Sequence, residues 1–207
     1  MTRSDGDGDE EDLAIRFVNT LAWRRRDPAE ERMDSPEALL AWLQRNGLAD
    51  AGTARTIAAA WRTQPDAARA AHQAAIRLRE EIYTLFISRI HGKAPPEDAL
   101  AGFNGFLTRA CPALRIGWAS GGLAWQPHAA LTNAANLLAP VALSAAELMT
   151  GSRVGKVRQC QDDRGCGWLF VDESRAQNRR WCAMGDCGNR AKAQRHYSRM
   201  RQRDGAE

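Results

Sequence analysis

The chain has 207 residues and a formal net charge of +4, with 44% hydrophobic and 26% charged residues. This length suits one globular domain with a small second module. No stretch approaches the roughly 18 to 20 apolar residues of a membrane span, and the sequence shows no signal-peptide pattern. These features argue against a membrane protein and a secreted disulfide scaffold, so we expect a soluble, cytoplasmic protein.

An acidic leader, residues 1–10, opens the chain and is rich in Asp and Gly, a composition that predicts disorder. The domain that follows is expected to span residues 11–150 and to be mostly helical. Its first helix is indicated by Leu13, Phe17 and Leu21, which repeat at helical spacing.

Clear end signals mark the next helices. Ser35 and Pro36 are typical of an N-cap and a first helical turn, and Gly47 is typical of a helix end. Two more helices are predicted at 50–61 and 66–90. The remaining predicted elements of this domain are a helix through Phe103 and Leu107, a strand at 114–118, a turn at 120–122, a return strand at 123–125, and a helix at 129–149 interrupted at Pro140. The fold class is therefore α+β, a mostly helical domain with one β-hairpin.

Asn19 and Thr20 place polar side chains in an apolar helix, and Trp23 follows them closely. Together they are candidates for a small-molecule pocket, although satisfied core or surface residues explain them as well. Nothing in the sequence resembles a nucleophile elbow, a P-loop, a Rossmann fingerprint or a zincin motif. We therefore expect no enzyme, and catalysis in a pocket of the helical domain is the alternative.

The most diagnostic feature is a set of four cysteines in the last quarter of the chain, Cys160, Cys166, Cys182 and Cys187. They form two closely spaced pairs, which is the pattern of a four-thiolate zinc site. We expect one structural Zn²⁺ with no open coordination position, and therefore no catalytic metal. Disulfides and free buried thiols are the alternatives, and His196 is a minor candidate for replacing one ligand.

The module that carries the cysteines is expected to span residues 151–207, after a linker at Gly151-Ser152. Its predicted order is the first cysteine pair, a strand at 168–171, a loop, a strand ending at Trp181-Cys182, and a helix headed by the last cysteine. This order resembles a treble-clef zinc finger. We expect Trp168, Phe170 and Trp181 to form its small core, with base stacking as the alternative.

Positive charge is concentrated in this module, because residues 151–207 hold 13 Lys and Arg against 7 Asp and Glu. If the chain after Cys187 is helical, four cations share one face of that helix. Arginine side chains suit phosphate groups and guanine edges, so we predict DNA binding, with a solvated charged face as the alternative. The candidate DNA-binding residues are Arg175, Arg179, Arg180, Arg190, Lys192, Arg195, Arg199 and Arg203, the last four of which form the helical stripe.

The module also carries a family resemblance, in the strings Cys166-Gly167-Trp168-Leu169-Phe170-Val171-Asp172-Glu173-Ser174-Arg175 and Cys187-Gly188-Asn189-Arg190-Ala191-Lys192. These strings resemble the CGNR zinc finger, which is found at the C-terminus of bacterial stress-induced transcription regulators. Phe17-Val18-Asn19-Thr20 and Leu78-Arg79-Glu80 resemble the ABATE domain, the N-terminal part of those proteins. The resemblance implies DNA binding through the finger and small-molecule sensing by the N-terminal domain.

We therefore expect a two-domain transcription regulator with a role in the stress response. Its expected partners are DNA, a small-molecule effector and, as in many regulators, a second copy of the chain in a homodimer; no membrane partner is expected. The alternative is a protein-interaction module, in which the zinc site is purely structural and the basic helix docks an acidic protein.

Overall fold

The computed structural model describes residues 11–110, 114–119, 122–127 and 134–194. They form a mostly helical domain that carries a small C-terminal module with four cysteines, as the sequence predicts. Within the described part of the chain, no helix is both long and apolar enough to cross a membrane.

The helical domain contains seven helices and two small antiparallel sheets among its described residues. In chain order its elements are α1 (Leu13–Val18), β1 (Leu21–Ala22), β2 (Glu30–Glu31), α2 (Pro36–Arg45), α3 (Ala51–Thr63), α4 (Pro65–Ile90), α5 (Glu97–Ala110), β3 (Leu114–Ala119), β4 (Gly122–Pro127), α6 (Ala134–Leu137) and α7 (Ala139–Thr150). The C-terminal module adds a 3-10 turn (Ser152–Lys156), β5 (Val157–Gln159), β6 (Leu169–Val171) and a π-helical turn (Met184–Gly188). That turn continues as α-helix over 189–194, and we call 184–194 the C-terminal helix.

Side-chain caps begin α2 and α3. The Ser35 hydroxyl accepts a hydrogen bond from the Ala38 amide at 3.1 Å, and the Asp50 carboxylate accepts one from the Thr53 amide at 2.6 Å. Each cap satisfies an amide that the first helical turn leaves without a backbone partner. The predicted starts of these two helices are confirmed.

Helix α4 is the central element of the helical domain. Its buried side chains, among them Leu78, Ile82 and Phe86, face a core that α1, α2, α5 and α7 also line. Phe17 of α1 packs on Trp42 of α2, with 5.0 Å between the ring centroids. Burial of each large apolar side chain contributes about 1.5–3 kcal/mol relative to exposure, so this one cluster holds the helices together.

The first helix is shorter than predicted. It ends at Val18, and Leu21 lies in β1 instead of on the helix. The Thr20 hydroxyl donates to the carbonyl of Phe17 at 2.8 Å, a side-chain bond of the kind that competes with continued helix. The predicted interruption near Pro140 is present, but the chain turns at Leu138. Pro140 then lies in the first turn of α7, where its missing amide costs no hydrogen bond.

The C-terminal module has a different strand order from the predicted one. The predicted strand at 168–171 is confirmed as β6, but its antiparallel partner is β5, which precedes the first cysteine. The expectation of a strand ending at Trp181-Cys182 is wrong, since the structure describes a bend there. A 3-10 turn begins at Ser152, within the predicted linker. The treble-clef assignment stays a prediction.

Candidate metal centre

Four sulfur atoms converge at one point of the C-terminal module. The Sγ atoms of Cys160, Cys166, Cys182 and Cys187 all lie within 4.8 Å of one another. Two of these distances are 3.8 Å, between Cys166 and Cys182, and 3.6 Å, between Cys182 and Cys187. A tetrahedral ion with Zn–S bonds of about 2.3 Å requires S–S edges of about 3.8 Å. The four thiols therefore fit one structural zinc ion and leave it no open position.

Backbone hydrogen bonds and a tight turn aim the first two sulfurs. Cys160 follows β5, and its amide donates to the carbonyl of Trp168 at 2.7 Å, which extends the β5–β6 pairing. Cys166 lies between Gly165 and Gly167, whose φ angles are +96° and +67°. Only glycine adopts such angles at little cost, so the two glycines let the chain turn sharply around the ligand.

The thiols perturb one another because they are close together. The hydrogen bond to Cys166 is the main reason why the pKa of the Cys160 thiol lies far below its ordinary value. The hydrogen bond to Cys160 raises the pKa of Cys182, and burial raises the pKa of Cys187. Four neighbouring thiols resist ionising together, whereas a bound divalent cation stabilises all four thiolates.

Arg190 and Asp162 support the sulfur cluster from outside. The Arg190 Nη2 donates to the Cys187 Sγ at 2.9 Å and to the Asp162 Oδ2 at 3.0 Å. Asp162 is buried, and its other oxygen accepts a hydrogen bond from the Arg164 amide at 3.0 Å. Such partners orient the ligands of a metal site. Our sequence analysis missed Asp162, although its place between the first two cysteines is a usable signal.

A loop of the helical domain docks on the same turn. The amides of Arg24 and Arg25 donate to the carbonyls of Cys166 and Gly165 at 3.1 and 3.0 Å. A Cβ on Gly165 would lie 3.0 Å from the Cγ of Arg26, so the two segments are in close contact. The sequence gives no local sign of this contact.

Trp23 belongs to the same loop and packs on the side chains around the sulfur cluster. The guanidinium groups of Arg26 and Arg190 lie 3.7 and 5.0 Å from its ring centroid. Its φ of +53° is unusual for a residue with a side chain. Trp23 thus belongs to the finger's own apolar cluster, together with Phe170, Trp168 and Trp181. The predicted core of Trp168, Phe170 and Trp181 is confirmed.

Asn19 and Thr20, the other two candidates for a ligand pocket, make hydrogen bonds within the protein. The Asn19 Nδ2 donates to the Leu169 carbonyl at 2.9 Å, and its Oδ1 accepts from the Leu169 amide at 3.0 Å. The Thr20 hydroxyl accepts from the Arg79 Nη1 at 3.2 Å. These contacts explain both buried side chains through structure, and a pocket at Asn19, Thr20 and Trp23 stays a prediction.

A buried ion-pair network continues from Thr20 into the helical domain. Arg79 is 2% exposed and binds Glu31 through two hydrogen bonds of 2.7 Å and Glu80 through one of 2.7 Å. Glu80 in turn accepts from Arg24 at 2.7 Å. Burial raises the pKa of both carboxyls, but the hydrogen bonds and charges of their arginine partners outweigh it and lower the pKa of Glu31 and Glu80 overall. The network links α4 to the loop that docks on the finger.

The predicted DNA-binding residues fall into three groups. Arg175, Arg180 and Lys192 are exposed. Arg179 is half-buried, where it lies 4.9 Å from the Phe170 ring centroid and donates to the Cys182 carbonyl at 2.8 Å, and Arg190 is held at the cluster as described above. Arg195, Arg199 and Arg203 lie outside the described residues, as does His196.

The fold and the cluster together define a class, a helical domain that carries a four-cysteine zinc finger. Residues 156–200 match the CGNR zinc finger. Residues 11–152 match the ABATE family, described as "Putative stress-induced transcription regulator". This second match covers more than half of the chain, so the protein belongs to that family, as the resemblance predicts. No curated protein matches it.

Proposed function

We propose that this protein regulates transcription by binding DNA through its zinc finger, in response to stress. The observation that carries the proposal is the distribution of charge on the finger. Four of the five acidic residues described between 156 and 194 accept hydrogen bonds from groups of the protein; these are Asp162, Asp172, Glu173 and Asp186. Arg175 and Lys192, in contrast, are exposed and form no ion pair with any described residue. The charges of Arg175 and Lys192 are therefore available to bind a polyanion.

Further cations extend this surface. Arg180 lines a shallow cleft of about 60 Å³ with Trp181 and Ala191, beside the helix that carries Lys192. The docked loop of the helical domain adds Arg26, which is exposed and donates to the carbonyl of Arg164 at 2.6 Å. Exposed arginines from two separate segments thus lie on or beside the module, and arginines of this kind suit contacts to phosphate groups.

The first test selects fragments of genomic DNA with the zinc-loaded full-length protein at near-physiological salt and sequences what stays bound. Enrichment of a few sites supports a sequence-specific regulator. Retention without enrichment restricts the activity to phosphate binding. Absence of retention contradicts DNA binding and favours the alternative function, in which the basic surface docks an acidic protein. The internal bonds of Arg179 and Arg190 are consistent with that alternative.

Salt dependence tests which cations contact DNA. If about four phosphates are neutralised, log K falls against log salt with a slope of about −3.6. Lys192→Gln and Arg175→Gln should each reduce the magnitude of that slope by about 0.9. Arg62→Gln on α3 removes the same charge from an exposed site in the helical domain and should leave the slope unchanged. Equal effects of all three variants would contradict contact at Lys192 and Arg175.

A sensing role for the helical domain is the second part of the proposal. Its support is the family resemblance. The cleft between α4 and α5, lined by residues that include Arg77, Glu81 and Arg109, has a volume of about 130 Å³, below the roughly 300–1,000 Å³ of most ligand pockets. An effector of this cleft is therefore a small one. A metabolite that raises the Tm of the wild type but not of Glu81→Gln supports the role, because a ligand stabilises the state it binds.

A further inference from the structure

The hairpin β3–β4 presents an exposed apolar face. Its register pairs Ile116 with Trp125 and Trp118 with Leu123. Side chains two residues apart on one strand point to the same face, and so do side chains directly opposite each other on paired strands. These four side chains therefore form a single patch. Their exposed fractions are 54% for Ile116, 51% for Trp125, 72% for Trp118 and 76% for Leu123. Large apolar side chains in such a group normally lie against something.

The opposite face of the hairpin carries small and polar residues. Arg115 and Gln126 lie directly opposite each other on it. The Gln126 side chain lies across Gly117, where an added Cβ would overlap its amide group, and its Nε2 donates to the Trp118 carbonyl at 3.1 Å. At the base, Leu114 packs on the core of the helical domain. The hairpin is thus anchored at one end, with one face satisfied and the other left open.

We propose that this patch, Ile116, Trp118, Leu123 and Trp125, is the interface of a homodimer, with the same patch of a second copy as its occupant. The patch has no ionisable side chain, so it offers no charge by which a charged partner would be selected. Its layout is self-complementary. A two-fold axis across the strands places Trp118 over Ile116 of the second copy and Trp125 over its Leu123, and it keeps the two helical domains at opposite ends.

The area of the patch indicates the class of interface that two copies would form. Taking about 250 Å² for a fully exposed tryptophan, Trp118 and Trp125 leave about 300 Å² in solvent, and Ile116 and Leu123 raise this to roughly 450 Å². Two copies then bury roughly 900 Å², which is below the roughly 1,200–2,000 Å² of stable interfaces and in the range of weak, transient ones. The expected product is a reversible dimer whose population rises with protein concentration.

Sedimentation velocity on the full-length, zinc-loaded protein tests this assignment over a wide range of concentration. The wild type should shift from 22.8 kDa towards twice that mass. Trp118→Gln should weaken dimerisation by about a thousandfold, because symmetry removes the ring from both copies and each loss costs about thirtyfold. Leu100→Gln removes another exposed apolar side chain, on α5, and should dimerise like the wild type.

Far-UV circular dichroism verifies that the variants are folded, and Leu123→Gln provides a second probe of the same patch. A wild type that stays at 22.8 kDa at the highest concentration would overturn the proposal. Dimerisation that neither patch variant weakens would overturn it too, because the interface then lies elsewhere. Binding of a monomeric wild type to phosphatidylcholine vesicles, lost in Trp118→Gln, would assign the patch to a lipid surface instead. None of these outcomes depends on whether the finger binds DNA.

Discussion

Replacing Asn19 with alanine tests how the helical domain is attached to the finger. The Asn19 amide makes a donor and an acceptor contact with the backbone of Leu169, on the edge of β6 that does not pair with β5. It therefore imitates a neighbouring strand. In Asn19→Ala the amide and the carbonyl of the buried Leu169 both lose their partner.

The expected cost follows from these two groups. Each buried polar group left without a partner costs about 1–3 kcal/mol, and partial hydration at the module boundary favours the lower half of that range, so we expect a loss of about 3 kcal/mol in total. For a chain of this size each kcal/mol lowers Tm by about 2–4 °C, which predicts a fall of about 6–12 °C.

Thermal unfolding of the zinc-loaded protein, followed by circular dichroism, measures this fall. Asn104→Ala on α5 makes the same chemical change at an exposed site and should alter stability by less than about 0.5 kcal/mol. If Asn19 serves a ligand pocket and not the attachment, its variant should unfold like that control. Equal Tm values for the two variants would therefore refute the structural role.

Three further predictions concern the ion-pair network and the metal. Arg79→Met should lower the free energy of unfolding in urea by about 2 kcal/mol, because it removes the arginine partner of Glu31 and leaves Glu80 paired with Arg24 alone; Arg77→Met, exposed on the same helix, should change it by less than about 0.5 kcal/mol. Since the folded-state pKa values of Glu31 and Glu80 lie below 4.5, their contribution is complete above pH 4.5 and is lost as the pH falls below it. The wild type should therefore lose more stability than Arg79→Met between pH 5 and pH 3, and parallel losses would contradict the assignment. Cys182→Ser should release zinc, measured by metal analysis, and unfold the finger; full metal content in that variant would remove Cys182 from the ligand set.

Local signals made most of the helical domain predictable. Ser35 caps α2 and Pro36 lies in its first turn, so both signals act within one helical turn. The cluster of four cysteines was predictable for a different reason. Two closely spaced pairs of cysteines are the pattern of a four-thiolate site, and this pattern is visible in the amino-acid sequence alone.

The features that we missed depend on contacts between distant parts of the chain. Strand β5 has three residues, too few for a periodic pattern. Asn19 and Leu169 are 150 positions apart, and no local pattern links them. The place of Trp23 in the finger could not be predicted either. A tryptophan that packs on a neighbouring module looks the same in sequence as one that packs in its own domain.

The docking of residues 19–26 on the finger changes what counts as a separable part of this protein. The two family matches meet between residues 152 and 156, but a finger cut there keeps its four ligands and loses Asn19, Trp23 and the amides of Arg24 and Arg25. A finger transplanted from a relative would have to match that segment as well as its own cysteines. The unit that can be exchanged is therefore discontinuous, and it consists of the finger together with a short segment near the opposite end of the chain.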